Sequence, residues 1–318
     1  MRRSPFTPFA LAAAAVATTA AAFVATRALL ATPPPEGAVI LVTGGSRGLG
    51  LAIASRFAER PVSLVLTARN ADELQQAQAT LLQRHPHLKP ENFYLVPADL
   101  SQPAECQGLI SAAFARFGRI DILVNNAGII QVGPIEAMTA DDFEHAMRID
   151  FFGALHTTMA ALPKLLAQTP AAGWKHRAAI VNISSIGGKF AVPHLLPYSA
   201  AKFALTGFSE GLHAEVRGKG VRVTTVCPGL MRTGGEDHAI FLGDVEKEKA
   251  WFQTCAKTPG VATTPEHAAD EIFNAVAQGR AEITITPQAW VGARFAGVMP
   301  ETLQWLNAVT DQYVLPKA

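Results

Sequence analysis

The sequence predicts a doubly wound α/β domain in which helices cover both faces of a mostly parallel sheet of seven strands. From residue 38 onward, short apolar runs alternate with helical patterns, and most of the runs are apolar on both faces, as buried parallel strands are. The predicted strands cover residues 39–42, 62–67, 93–96, 120–124, 178–183, 221–226 and 282–285, with helices predicted over 49–59 and 71–84. No internal repeat or linker interrupts this order, so we expect residues 37–318 to form one domain.

The composition agrees with a globular protein that has a substantial core, because 49% of the 318 residues are apolar and 17% are charged. The formal net charge of +1 gives no reason to expect nucleic acid as a partner. The three cysteines are widely spaced, and the nine histidines form no HExxH-like cluster. We therefore expect neither a disulfide framework nor a metal site.

Residues 1–36 differ from the rest of the chain and lie outside the predicted domain. Arg2 and Arg3 precede residues 4–26, an alanine-rich stretch without formal charge, and a proline run at 33–35 follows. The stretch is close to the length that spans a bilayer, so one interpretation is a membrane anchor; a cleaved secretory signal peptide and an organelle transit peptide are two others. The sequence favours the anchor and a membrane-associated protein, with secretion or organelle targeting as alternatives.

The first predicted strand runs into a glycine-rich turn and then a helix, an arrangement typical of phosphate binding. Glycines at 44, 48 and 50 permit a tight turn and a close approach of the backbone to a pyrophosphate at the positive end of the helix. The spacing is GxxxGxG rather than GxGxxG, but its place in the first βαβ unit favours nucleotide binding. The candidate cofactor residues of this turn are Thr43, Gly44, Ser46, Arg47, Gly48, Leu49 and Gly50.

The end of the second predicted strand indicates which dinucleotide binds. An acidic residue at this position commonly holds the ribose 2′-hydroxyl of NAD. Here the chain reads Thr67-Ala68-Arg69-Asn70, without a carboxylate. Arg69 and Arg47 are instead suited to pairing with a 2′-phosphate. The sequence therefore predicts NADP(H) as the cofactor.

Tyr198 and Lys202 are spaced so that, on a helix, they project from the same face about one turn apart. A lysine ammonium near a phenol favours the phenolate and lowers the pKa of the tyrosine below its ordinary value. A tyrosine tuned in this way can exchange a proton with an alcohol or carbonyl oxygen near neutral pH. The pair therefore predicts a proton-transfer site.

Three further motifs accompany the glycine turn and the Tyr198/Lys202 pair. They are Asp99-Leu100 at the end of the third strand, Asn125-Asn126-Ala127-Gly128 after the fourth, and Ser184-Ser185 after the fifth. With these motifs in this order and at this spacing, the chain resembles the short-chain dehydrogenase/reductase family over about residues 38–286. The resemblance implies a Rossmann-like domain, a nicotinamide cofactor, and hydride exchange with a carbonyl or an alcohol.

The resemblance also implies roles for individual residues. Tyr198 matches the family's general acid/base, Lys202 matches the lysine that lowers its pKa and holds the nicotinamide ribose, and Ser185 matches the serine that hydrogen-bonds the substrate oxygen. The neighbouring Ser184 is then a residue of the strand end. The implied cofactor contacts outside the glycine turn are Asp99, Leu100, Asn125, Asn126, Ala127, Gly128, Pro228, Gly229 and Thr233, with Tyr198 and Lys202.

One position departs from the family pattern. The family often has an asparagine that positions a water in the proton relay, and the matching residue here is Asp150, within the stretch 148–153. Its backbone carbonyl could hold that water, or its carboxylate could pair with Lys202 and reduce the pull of the lysine on Tyr198. Asp150 is therefore a fourth candidate catalytic residue.

Two apolar segments are expected on the substrate side. The segment of about 230–262 matches a part of the family that closes over substrate, and its side chains could line a pocket or simply pack a lid. The tail of about 288–318 could pack on the domain, line the substrate entrance or touch a membrane. The apolar candidates are Ile240, Phe241, Leu242, Trp251 and Phe252 in the lid, and Trp290, Phe295, Met299, Leu303, Trp305 and Leu306 in the tail.

The expected reaction is the NADP(H)-dependent interconversion of a carbonyl and an alcohol on an apolar substrate. The resemblance is closest to members that act on lipid-, steroid- or retinoid-like molecules. The alternatives are an epimerase and a non-catalytic nucleotide-binding protein on the same scaffold. The sequence allows association of copies of the chain and does not decide it.

Overall fold

The computed structural model describes residues 31–234, 238–257 and 262–317. Its centre is a parallel sheet of seven strands in the spatial order β3-β2-β1-β4-β6-β7-β9, and the short strands β5 and β8 pair separately. The strands are β1 (Val39–Thr43), β2 (Ser63–Ala68), β3 (Phe93–Pro97), β4 (Ile122–Asn125), β5 (Gln131–Val132), β6 (Ala178–Ile183), β7 (Val221–Pro228), β8 (Ile240–Phe241) and β9 (Glu282–Ile285). The prediction of a doubly wound, seven-stranded parallel sheet is confirmed.

Helices connect the strands and cover both faces of the sheet. They are α1 (Gly48–Phe57), α2 (Ala71–Arg84), α3 (Pro103–Phe117), α4 (Ala140–Ala146), α5 (Gly153–Ala167), α6 (Leu196–Val216), α7 (Val245–Lys257), α8 (Pro265–Ala277), α9 (Pro287–Val298) and α10 (Pro300–Tyr313). A π-helical turn, Met147–Phe152, joins α4 to α5. Such turns insert one residue into a helix and are frequent at functional sites.

The side chains of each central strand alternate between two hydrophobic cores. In β1, Ile40 and Val42 belong to the core beneath α1, α2 and α8, whereas Val39 and Leu41 belong to the core beneath α3, α5 and α6. All four are almost fully buried. Because successive strand residues point to opposite faces, a run that is apolar at every position requires cover on both sides.

Local sequence signals explain where several elements begin and end. The Asn70 side chain accepts hydrogen bonds from the backbone of Asp72 and Glu73 and so caps the start of α2. Gly118 ends α3 in the left-handed conformation, with φ of 73°. The fourth strand begins two residues later than predicted, because the Asp121 carboxylate accepts a hydrogen bond from the Val39 backbone at 2.9 Å. The strands β5 and β8 are too short to carry a periodic signal.

The strand order reverses direction between β1 and β4, so a crossover point lies at the carboxyl ends of these two strands. The chain moves outward from β1 through β2 to β3, and then returns to β4 on the opposite side of β1. In open α/β sheets, ligands bind beyond the carboxyl ends of the strands at such a point. The glycine turn follows β1 and the asparagine motif follows β4, so both lie there.

No helix within the described ranges is both long and apolar enough to cross a membrane. The predicted N-terminal anchor or targeting segment falls almost entirely on residues 1–30, which lie outside the described residues. The domain boundary at residue 37 and the membrane association therefore stay predictions.

Candidate active site

The glycine turn is shaped by close backbone contacts that exclude larger side chains. Gly44 and Gly48 adopt positive φ values of 63° and 54°, which disfavour residues with a side chain. A Cβ atom on Gly50 would collide with the Gly44 carbonyl oxygen, so the first turn of α1 packs directly on the preceding turn. No side chain caps the N-terminus of α1, and its first turn contains no acidic residue. Its free amides are therefore suited to an anion.

Side chains hold the glycine turn against the loop that follows β4. The Thr43 hydroxyl accepts hydrogen bonds from the backbone of Asn126 at 2.8 Å and of Ala127 at 3.0 Å. The Asn126 amide in turn donates to the backbone oxygens of Thr43 at 2.9 Å and Gly44 at 3.2 Å. These two predicted cofactor segments are thereby fixed relative to each other. Leu49 is buried beneath the turn.

Arg47 and Ser46 share a partner that the sequence interpretation missed. Glu73, in the first turn of α2, lies 3.1 Å from the Arg47 guanidinium and accepts a hydrogen bond from the Ser46 hydroxyl at 2.9 Å. Arg69 is exposed at the end of β2. The signal that could have revealed Glu73 is its position three residues after the helix cap Asn70, which places it at the same sheet edge as the glycine turn.

Ser185, Tyr198 and Lys202 converge beyond the carboxyl end of β6. Ser185 follows β6, and its hydroxyl accepts a hydrogen bond from the Gly187 backbone at 3.1 Å. A Cβ atom on Gly187 would lie 3.4 Å from a Tyr198 ring carbon and 3.5 Å from the Ser185 hydroxyl oxygen, so both side chains border this glycine. The Lys202 ammonium lies 5.5 Å from the centre of the Tyr198 ring, on the same face of α6.

The Asp150 carboxylate pairs with Lys202. Its Oδ1 atom lies 3.2 Å from the lysine Nζ and accepts a hydrogen bond from the Ile129 backbone at 3.1 Å. Lys202 also donates to the Ile183 carbonyl at 3.1 Å. The Asp150 Oδ2 atom is buried and has no hydrogen-bond partner among the described residues. A Cβ on Gly128 would collide with Asp150 Oδ1, so only glycine fits beside this ion pair.

This environment shifts the pKa of each of the three titratable groups upward. Burial raises the pKa of Tyr198, Lys202 lowers it, and Asp150 raises it further, so the net direction is upward. Lys202 lowers the pKa of Tyr198 as expected, but burial and Asp150 outweigh it, so the expected net lowering does not occur. The alternative in which the Asp150 carboxylate pairs with Lys202 is the one that the structure has. Burial likewise raises the pKa of Asp150. Burial acts to lower the pKa of Lys202, but Asp150 and Tyr198 outweigh it and raise the pKa.

The side chains of Asn125 and Ser184 are buried and hydrogen-bonded to other residues of the protein. Asn125 donates to Thr158 at 2.9 Å and to Asn182 at 2.8 Å, deep in the sheet. The Ser184 hydroxyl lies 2.7 Å from that of Thr206 and donates to the Lys202 carbonyl at 3.0 Å. Ser184 therefore helps to hold α6 against β6.

The remaining predicted cofactor residues lie on neighbouring loops. Asp99 accepts a hydrogen bond from the Ser101 backbone at 3.0 Å just after β3, and Leu100 is buried next to it. Pro228 ends β7 and Gly229 follows it. A Cβ on Gly48 would lie 3.4 Å from the Thr233 carbonyl oxygen, so the loop after β7 reaches the glycine turn.

The lid and the tail pack on the loops that carry the site. Strand β8 pairs with β5, three residues beyond Gly128, and Phe241 packs against Phe252 with ring centres 6.2 Å apart. A Cβ on Gly292 of α9 would contact the Phe190 ring at 2.8 Å. Four of the six apolar tail candidates are nevertheless exposed, namely Trp290, Met299, Trp305 and Leu306.

Within the described ranges, no three His, Cys, Asp or Glu side chains are grouped so that they could hold a metal ion.

Comparisons with known proteins agree with this fold. The family model of the short chain dehydrogenases matches residues 38–239. A dehydrogenase/reductase SDR family protein 7-like of Anopheles gambiae is 33% identical over 271 residues, which cover 85% of this chain and 78% of that protein. The human dehydrogenase/reductase SDR family member 7 is 31% identical over 210 residues, 66% of this chain and 59% of that protein.

Solved structures give the same result. A short-chain dehydrogenase from Streptomyces avermitilis has a TM-score of 0.71 at 28% identity, covering 86% of this chain and 97% of that chain. A short chain dehydrogenase/reductase from Burkholderia phymatum in complex with NAD has a TM-score of 0.74 at 25% identity, covering 84% and 95%. The chain belongs to the short-chain dehydrogenase/reductase family. Within that family it is an oxidoreductase.

Proposed function

We propose that the protein binds NADP(H) and interconverts a carbonyl and an alcohol on an apolar small molecule. The observation that carries this proposal is the meeting of Ser185, Tyr198 and Lys202 beside the glycine turn, at the crossover edge of the sheet. Tyrosine and serine hydroxyls side by side suit a substrate oxygen, because one can transfer a proton while the other donates a hydrogen bond.

A nicotinamide dinucleotide fits the residues at the glycine turn. The start of α1 has no side-chain cap and offers backbone amides, and the absence of Cβ atoms at Gly44 and Gly50 lets the turn pack closely against α1 and the loop after β4. Among the solved relatives, the Burkholderia phymatum protein is in complex with NAD. We assign the dinucleotide to this turn, with the loop after β4 forming the other wall.

The preference for NADP(H) rests on positive charge at the expected ribose position. The exposed Arg69 follows the end of β2, Arg47 lies in the glycine turn, and residues 67–70 include no carboxylate. Glu73 opposes this preference, because it already pairs with Arg47 at 3.1 Å. The Arg47–Glu73 pair is exposed, and such pairs contribute only about 0.2–1 kcal/mol. A dianionic phosphate is therefore expected to displace Glu73 from Arg47.

Each side chain then has a defined part in the reaction. The bound dinucleotide supplies the hydride for reduction and accepts it in oxidation. Tyr198 donates a proton to the carbonyl oxygen during reduction and takes it back during oxidation, while Ser185 hydrogen-bonds the same oxygen. Lys202 stabilises the phenolate that reduction leaves on Tyr198. Asp150 and the Ile183 carbonyl hold the ammonium in place.

The apolar character of the substrate is inferred from the lid. Phe241 and Trp251 are partly exposed on elements that border the loops of the site, whereas Phe252 is buried in packing. Pockets lined by aromatic and aliphatic side chains with few polar groups favour apolar ligands. Carbonyl compounds with extended hydrocarbon portions are therefore the first substrates to test.

Purified full-length protein tests the proposal directly. NADPH fluorescence should change on binding at lower protein concentrations than NADH fluorescence, and NADPH should be oxidised when an apolar aldehyde or ketone is added. Each of the single variants Arg47→Ala and Arg69→Ala should weaken NADPH binding and leave NADH binding almost unchanged. Equal affinity of the wild type for both dinucleotides would overturn the assignment of NADP(H).

The Asp150–Lys202 pair favours a second candidate, a protein that binds the dinucleotide without turnover. If Asp150 removes enough of the lysine's influence, Tyr198 does not ionise in the working pH range. This candidate predicts dinucleotide binding without turnover of any carbonyl or alcohol, and it predicts that Asp150→Asn creates activity. Measurable turnover by the wild type would exclude it.

A further inference from the structure

His194 occupies a strained position in the loop between β6 and α6. Its φ is 63°, in the left-handed region that residues other than glycine rarely adopt, and the residue is 5% exposed. It lies four residues before Tyr198. Backbone strain of this kind persists only where surrounding contacts hold the residue, and it concentrates at functional sites.

Two carboxylates hold the imidazole of His194. Its Nδ1 atom lies 2.9 Å from Oε1 and 3.0 Å from Oε2 of Glu248, a residue that is 1% exposed. The Nε2 atom lies 3.5 Å from the Asp311 carboxylate, which is half exposed. The ring of Trp251 packs edge-on against the imidazole, with ring centres 6.0 Å apart. A carboxylate as deeply buried as that of Glu248 requires such a partner.

The three residues come from three separate elements. His194 belongs to the loop that leads into the helix of Tyr198, Glu248 belongs to the lid helix α7, and Asp311 belongs to the C-terminal helix α10. Two further contacts join the same segments: the Asn307 amide of α10 donates to the Ala191 carbonyl at 2.9 Å, and the Gly133 backbone donates to the His194 carbonyl at 2.9 Å. The loop beyond β4, the lid and the tail therefore meet at His194.

We propose that His194 is a positioning residue that acts through Glu248, fixing the lid and the C-terminal helix over the substrate side of Tyr198. The role rests on the proposed function, because it assumes that Tyr198 protonates a bound substrate. In this role, the lid would contact those parts of a substrate that lie away from the reacting carbonyl. Binding energy from remote parts of a substrate is what orients the reacting group. His194 therefore determines how strongly the enzyme favours large apolar substrates over small ones.

The variants His194→Asn and Glu248→Gln test this role. Asparagine tolerates the left-handed backbone at position 194 and removes the ring, whereas glutamine keeps the shape of Glu248 and removes its charge. Asp270→Asn serves as the control. It removes the carboxylate that α8 contributes to an ion pair with Arg56 of α1, and this pair lies outside the lid. Thermal unfolding identifies any variant that does not fold, and the two substitutions at different positions keep the test open if one of them fails.

Both variants should raise KM for a long-chain apolar aldehyde about tenfold, the effect of losing about 1.4 kcal/mol of binding. The KM for a three- or four-carbon aldehyde, kcat with that aldehyde, and the Kd for NADPH should change less than about twofold, which is within the spread of surface substitutions. Hydrogen exchange should become faster over 245–256 and 300–313 and stay unchanged over 48–57. Asp270→Asn should match the wild type throughout.

The inference is overturned if both folded variants keep the wild-type ratio of kcat/KM between the two aldehydes, even if hydrogen exchange becomes faster. It is also overturned if NADPH binding weakens in parallel with aldehyde binding, since the cluster would then support the whole fold. Failure of the proposed function has a different signature, namely the absence of carbonyl turnover by the wild type itself.

Discussion

Asp150 and Glu248 are both buried carboxylates that contact a basic side chain, Lys202 and His194 respectively, and they differ in how their oxygens are satisfied. Both oxygens of Glu248 lie within 3.0 Å of His194. Only one oxygen of Asp150 has partners, and Oδ2 is buried with none among the described residues. An unsatisfied buried carboxylate oxygen is costly, so a pair that serves only stability would not be expected to keep one.

The positions of the two pairs show a second difference. Asp150 and Lys202 lie on the π-helical turn and on α6, two of the helical elements that pack against the central sheet. His194 and Glu248 instead join a loop to the lid. In the roles proposed above, the first pair adjusts the chemistry of Tyr198, whereas the second fixes a cover over it.

The largest effect in this comparison is expected from Tyr198→Phe. Loss of a general acid/base reduces turnover by about 10²–10⁴-fold. NADPH binding, measured by fluorescence, should remain close to that of the wild type because the ring and Lys202 are kept. Turnover that survives in this variant would show that the Asp150–Lys202 pair does not act through Tyr198.

Lys202→Met tests whether the Asp150–Lys202 pair is charged, through its effect on the free energy of unfolding. Removing one partner of a buried ion pair leaves the other charge unpaired and costs about 3–5 kcal/mol of the free energy of unfolding. The double variant Lys202→Met/Asp150→Asn should recover a large part of this loss in denaturant titrations. Equal stability of the single and the double variant would mean that Asp150 is not charged in the folded protein.

Gly128→Ala tests how tightly the Asp150–Lys202 pair is confined. The new methyl group would collide with Asp150 Oδ1 and lie 3.3 Å from Lys202 Nζ, so we expect a loss of about 1–3 kcal/mol of stability together with reduced turnover. Gly108→Ala is the matched control, because a Cβ there meets no atom within 4 Å. If both variants behave alike, the close packing around the pair has no functional role.

Asp150→Asn should move the pH profile without abolishing activity. Asp150 raises the pKa of Tyr198, so its removal lowers that pKa. Alcohol oxidation requires the phenolate and increases as pH rises through this pKa, so the rising limb of kcat/KM should shift to lower pH. If turnover and its pH dependence both stay unchanged, Asp150 has no part in the mechanism.

The smallest effect is expected at the cofactor end. Glu73→Gln frees Arg47 from an exposed ion pair and should tighten NADPH binding by up to about fivefold, with no change for NADH. Asp72→Asn, on the same exposed turn of α2, is the control. Weaker NADPH binding in Glu73→Gln would show that Glu73 orients Arg47 for the phosphate rather than competing with it.

Much of the framework could be predicted because its signals are local. The five residues of β1 are all buried and apolar or β-branched, and Gly44, Gly48 and Gly50 follow directly. The strand β8 and the π-helical turn could not be predicted, since neither has a periodic pattern. The net direction of the Tyr198 pKa shift could not be predicted from the spacing of Tyr198 and Lys202, because burial and Asp150 together outweigh the lysine.

By itself, the sequence determined the order of the strands along the chain, the glycine turn, and the Tyr198 and Lys202 pair, because each depends on neighbours within a few residues. Only the tertiary structure decided that Asp150 pairs with Lys202, that Glu73 reaches Arg47, and that His194 joins α7 and α10. Those contacts join residues far apart in the chain. They depend on how helices and loops pack against one another. The apolar pattern of an element predicts which of its faces is buried, but it does not predict which polar side chain of another element lies opposite.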